Sequence, residues 1–163
     1  MHIFKSLKNW FLKITGNSNC NSMCELIAYI KQGDLDGLNY WVINKIWYEK
    51  DTDNSHEWQN LDAVMLSKKS DCEEKATIRA EVINSWPGWD AQIIVTHTPS
   101  PGNSHAVCSF EGPKVRGVMD DSRLVKFPLT VPLNHIIKEN WPKAVDFVVC
   151  DKFGYRIGEV TPL

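Results

Sequence analysis

No apolar run in this 163-residue chain comes near the roughly 18 residues that a membrane-spanning helix needs. Glycine (nine) and proline (eight) are too scarce for a fibrous or low-complexity protein. Charge of one sign is also missing. Eighteen Lys+Arg face twenty Asp+Glu, so the basic footprint of a dedicated nucleic-acid binder is absent. The five cysteines are odd in number and irregular in spacing, which argues against a disulfide framework. Cys20 and Cys24 are followed by no second pair at zinc spacing, so no metal centre is expected. Within Met1–Thr15 the longest uncharged stretch is Asn9–Leu12, too short for a secretory signal. Together these exclusions lead to the expectation of a reduced, cytoplasmic protein with no cofactor.

What is present is an ordinary globular composition, 43% hydrophobic and 23% charged, with seven tryptophans. That suits one domain with a core of its own. Ile3, Phe4, Leu7, Trp10, Phe11 and Ile14 recur at helical spacing with Lys5, Lys8 and Lys13 between them. Residues 1–22 therefore read as an amphipathic helix and linker. Packing on the domain or a partner is the expected role of that helix, and contact with a membrane surface is the alternative. Residues 23–163 read as the main domain. Its first half predicts helices over Met23–Gln32, Asn39–Lys50 and Ser70–Asn84, with a helical turn at Asp62–Leu66. Its second half predicts strands at Ala91–His97, His105–Phe110, Val115–Met119, Asp146–Cys150 and Tyr155–Val160, with a helix at Leu133–Glu139. Helices first and strands after give an α+β class with an antiparallel sheet.

Ser70-Asp71-Cys72-Glu73-Glu74 is the most informative stretch. Ser70 with Glu73 fits a capping box, which puts Cys72 in the first turn of a helix. The partial positive charge there should favour thiolate over thiol. Cys72, Ala76, Ala80 and Ile83 share one helical face, so the thiol should sit where small residues let the helix approach the sheet. His105 opens one strand and Asp120 closes the next, so antiparallel pairing brings them together. A cysteine, a histidine that takes its proton and an acid that orients the histidine form a triad for acyl transfer. Asp121 is the competitor for the acid, since alternation lets one of the two face His105. His97 competes for the base. Cys108 and Cys150, in apolar strands, read as core. Trp86 and Trp89 around Pro87-Gly88 read as a turn or core pair, and Asp34 and Asp36 as a solvated turn.

Cys on a helix followed by His and Asp on successive strands resembles the transglutaminase-like branch of papain-type cysteine enzymes, and most of all the bacterial transglutaminase-like cysteine proteinases. The matching residues are Leu38-Asn39-Tyr40-Trp41, Ile46 to Asp51, Glu57-Trp58, Asp71-Cys72-Glu73-Glu74, Ser104-His105-Ala106-Val107 and Val118-Met119-Asp120-Asp121. The resemblance spans residues 38–121. It departs at Glu74 and Asp121, where the family usually has Asp and Asn, and at Ser70, where it has Gly. The resemblance implies a papain-like fold and catalysis by Cys72, His105 and Asp120. It further implies a peptide or protein substrate, with hydrolysis and transamidation both open. The Cys72 N–H is one oxyanion donor; the Trp58 indole is the candidate for a second. The rival reading is a catalytically silent domain of the same fold that binds protein. Oligomeric state is not legible.

Overall fold

The computed structural model describes residues 20–50, 59–100 and 104–163. The expected N-terminal helix, residues 51–58, Trp58 among them, and residues 101–103 lie outside these.

Helix α1 (Met23–Tyr29) begins at Ser22, whose hydroxyl accepts the Glu25 N–H. Helix α2 (Leu35–Lys45) begins at Asp34, whose carboxylate accepts the Gly37 N–H at 2.9 Å. The helix expected over Asn39–Lys50 is thus displaced toward the N-terminus. The segment read as a solvated turn supplies its cap and first turn. The chain then becomes extended, as the β-branched and aromatic run Ile46-Trp47-Tyr48 favours. Strand β1 (Trp47–Tyr48) pairs in parallel with β2 (Lys69–Ser70), with Tyr48 opposite Ser70. Helix α3 (Leu61–Ser67) lies between them and ends on Lys68, at φ 59°.

Helix α4 (Cys72–Asn84) follows β2 directly. Its cap is Asp71, not the expected Ser70. The Asp71 carboxylate accepts the Glu73 N–H at 2.9 Å, and Glu74, not Glu73, reaches back to the Asp71 N–H at 3.2 Å. Ser70 is held extended by its pairing with Tyr48, so the box closes one residue later.

The remaining strands are β3 (Asp90–His97), β4 (His105–Glu111), β5 (Arg116–Met119), β6 (Leu124–Phe127), β7 (Asp146–Cys150) and β8 (Thr161–Pro162). They form one antiparallel sheet in the order β6-β5-β4-β3-β7-β8. Two corrections to the sequence reading fall here. Residues 124–127, read as loop, form β6, because Asp120 N–H bonds the Arg123 carbonyl and turns the chain back on β5. Tyr155–Val160 is not a strand. It contributes a single bridge, Cys150 to Arg156, and β8 pairs with Asp146 and Phe147 instead.

Alternation divides the sheet between two cores. Ala91, Ile93, Ala106, Cys108, Phe110 and Met119 pack against α1, α2 and α4. Ile94, Val107, Val118 and Phe147 pack on the other face with Ile136 and Ile137 of α5 (Leu133–Asn140). Each such buried aliphatic side chain contributes roughly 1.5–3 kcal/mol. Gly117 permits the tight β5–β6 approach, since a Cβ there would run into the Val125 carbonyl oxygen. The turn after α4 needs Gly88 at φ 77° behind Pro87, with the Trp89 N–H on the Trp86 carbonyl at 3.1 Å. Trp86 is buried there, edge-on to Trp89 at 5.5 Å, so the pair is packing and turn. The consequence for chemistry is positional. The start of β4 and the end of β5 come to the same end of the sheet as the start of α4.

Candidate active site

Cys72 is the first residue of α4 and is half-buried. Its Sγ lies 3.7 Å from Glu73 Oε2 and receives the Ala106 N–H of β4. His105 Nε2 lies 2.9 Å from Asp120 Oδ2. Cys72, His105, Ala106 and Asp120 line one cavity of about 180 Å³ with Tyr48, Lys75, Arg79 and Asp121.

The two adjacent acids have different partners. Asp120 is nearly buried, and its second oxygen accepts Ser122 N–H at 2.7 Å, Ser122 Oγ at 2.7 Å and Arg123 N–H at 2.9 Å. Burial alone would raise this carboxyl, but the donors from His105 and Ser122 outweigh it and hold it at about 2. Asp120 is therefore ionised at neutral pH and can only accept. His105 Nε2–H is therefore the donor in this pair. Asp121 faces the helix instead. It accepts Lys75 Nζ at 2.5 Å and Arg79 Nη2 at 2.7 Å, and Arg79 Nε donates to Asn39 at 2.8 Å. Lys75 and Arg79 are buried, at i+3 and i+7 from Cys72. The network therefore ties the Asp120–Asp121 corner to the face of α4 that carries the thiol. His97 is engaged elsewhere, with Nδ1 2.6 Å from Asp146 on β7.

The state of the thiol runs against the expectation drawn from the helix terminus. Burial pushes Cys72 up to about 12; the Ala106 N–H opposes this, and the charges of Glu73 and Asp71 add to it. The three first-turn acids redistribute their own protons. Asp71 is held low by hydrogen bonds from Glu73 and Glu74, which outweigh its burial, while burial and the Asp71 charge push Glu73 up to about 8. Asp71, Cys72 and Glu73 also offer three ligand atoms within 4.8 Å of one another. Two hard oxygens and a soft sulfur match no single class of metal well, and an ion there would occupy the sulfur.

Sequence reasoning did not anticipate four contributors. Lys75 and Arg79 carried a signal, since cations at i+3 and i+7 from Cys72 lie on a helix face that otherwise packs. Arg123 and Trp141 carried none. The Trp141 ring stands 6.3 Å from His105, and the Arg123 guanidinium lies 4.9 Å over Trp141, a contact made across the β5–β6 turn and the end of α5.

The chain is similar in fold to Legionella pneumophila LapG. The two align over 86% of this chain and 75% of LapG, with a TM-score of 0.52 and 17% identity. No family model and no curated protein sequence matches. At that identity the likeness to LapG speaks for the fold, an α+β arrangement with an antiparallel sheet. No helix among the described residues is long and apolar enough to cross a membrane.

Proposed function

We propose that the protein is a cysteine peptidase or amidase acting on a peptide or protein substrate through a thioester. The observation that carries this reading is the His105 imidazole, fixed on ionised Asp120 in the cavity that also holds Cys72 at a helix start. The likeness to LapG, a bacterial cysteine protease of the transglutaminase-like family, supports it at the level of the fold.

In this reading Cys72 Sγ attacks the substrate carbonyl carbon as its proton passes to His105 Nδ1. Asp120 stabilises the imidazolium that forms. The buried thiol is neutral before substrate arrives, so proton removal accompanies attack. His105 then gives the proton to the departing amine. Water, or a second amine, takes the acyl group from sulfur.

The raised thiol favours a second reading, a silent domain of the same fold that binds protein. One experiment separates them: iodoacetamide alkylation of Cys72 across pH, followed by intact mass, in wild type, His105→Ala and Cys72→Ser. A working triad alkylates at neutral pH, slows in His105→Ala and leaves Cys72→Ser unmodified at that position. A Cys72 that reacts only in strong alkali, with or without His105, leaves the silent domain as the function.

A further inference from the structure

We infer that Tyr48 is a catalytic residue, its phenol O–H donating to the carbonyl oxygen of the substrate as that oxygen becomes negative. The inference rests on the acyl-transfer reading above and deepens it. Preorganised donors aimed at the oxygen of a tetrahedral intermediate stabilise the charge that develops there. The first turn of α4 offers one in the Cys72 N–H, because the leading N–H groups of a helix have no partner within it.

Tyr48 meets the demands on a second donor. Its backbone is fixed against the strand that delivers Cys72. Trp47 N–H bonds the Lys68 carbonyl at 2.7 Å, Glu49 N–H bonds the Ser70 carbonyl at 2.8 Å, and Tyr48 itself pairs with Ser70. Its ring is seated on α4, with the Lys75 ammonium 5.8 Å from the ring centroid, one turn beyond Cys72. The side chain lines the cavity shared by Cys72 and His105 yet remains 58% exposed, so a substrate can reach it. Among the described residues nothing accepts its O–H. The phenol also stays protonated. Burial raises it, and the charges of Cys72, Asp71, Glu73 and Asp121 raise it further.

Two reactions of the same sulfur isolate the donor. Iodoacetamide alkylates by direct displacement and builds no charge on a carbonyl oxygen. p-Nitrophenyl acetate acetylates by addition. The C–S bond forms, the carbonyl π electrons move to oxygen, and their return expels p-nitrophenolate. In Tyr48→Phe the ring over Lys75 is kept and the donor is lost. Acetylation of Cys72 should fall at least about 10-fold while alkylation stays within about two-fold of wild type. Unchanged acetylation overturns the inference, and so does an equal fall in both rates, which marks a merely structural role. Failure of the underlying reading looks different: wild-type Cys72 is then not acetylated at all, or its acetylation is indifferent to His105→Ala.

Discussion

In the proposed triad, Asp120→Asn separates the charge of the acid from its shape. The side chain is nearly isosteric, but its hydrogen-bond capacity is split. One Asp120 oxygen accepts three donors, from Ser122 N–H, Ser122 Oγ and Arg123 N–H, and the other accepts His105 Nε2. An amide must keep its carbonyl toward the three donors, since turning its NH₂ there would oppose all three. The NH₂ then faces His105 and demands an acceptor at Nε2. The imidazole proton is driven to Nδ1, the nitrogen that receives the Cys72 proton in the proposed mechanism. The variant should fold, with a base of the wrong tautomer.

Acetylation of Cys72 by p-nitrophenyl acetate should therefore fall about 10³- to 10⁴-fold in Asp120→Asn. Stability changes too, with a definite pH sense. A carboxyl held at about 2 instead of its ordinary 3.8 contributes roughly 2 kcal/mol at neutral pH. Because the folded value is depressed, this contribution is complete above the ordinary value and is lost as pH falls from there toward about 2. Urea unfolding of wild type and variant should differ by about that amount at neutral pH, and the difference should shrink in acid. Near-normal acetylation by a folded Asp120→Asn would refute the tautomer argument. A stability gap that does not narrow in acid would refute the assignment of the charge.

Three further outcomes are expected. Asp121→Asn leaves buried Lys75 and Arg79 without their shared countercharge and should cost about 2 kcal/mol in urea unfolding, below the usual cost of breaking a buried pair because the carboxylate is partly exposed. Glu73→Gln should leave alkylation of Cys72 nearly unchanged below about pH 8, where Glu73 is largely protonated, and speed it above, where the variant lacks a carboxylate beside the sulfur. Gly117→Ala sets a Cβ against the Val125 carbonyl and the Phe110 ring and should destabilise by at least about 2 kcal/mol, read as a lowered thermal midpoint.

The parts of the molecule legible in the sequence are those fixed by local rules. Strands β3, β4 and β7 were placed within a residue, because each apolar run is bounded by turn residues. Helix α4 was legible from its acid-rich start, but its cap was misread by one residue. Ser70 is as good a capping residue as Asp71 on local grounds; only its pairing with Tyr48, 22 positions earlier in the chain, withdraws it. Strand β6 and the C-terminal pairing were missed for the same kind of reason. Four residues of LVKF carry too little pattern, and what makes them a strand is the Asp120–Arg123 turn pressing them onto β5.

The candidate site divides along the same line. Cys72, His105 and Asp120 could be named because each stands at the end of an element, where sequence order and antiparallel pairing fix neighbours. The electrostatics could not be read this way. The helix terminus argues for a thiolate, and it is a local argument. Burial between α4 and β4, with Asp71 and Glu73 close by, is a tertiary effect, and it wins by pushing the thiol up to about 12. In the proposed mechanism that outcome shifts the work to His105. A nucleophile that is not ionised beforehand needs a base whose free nitrogen is already an acceptor. Asp120 arranges this by claiming the other nitrogen, and it keeps its charge at neutral pH because the donors from His105 and Ser122 outweigh its burial. On this argument the short turn Asp120–Arg123, which carried no motif, matters to the chemistry as much as the cysteine that drew attention first.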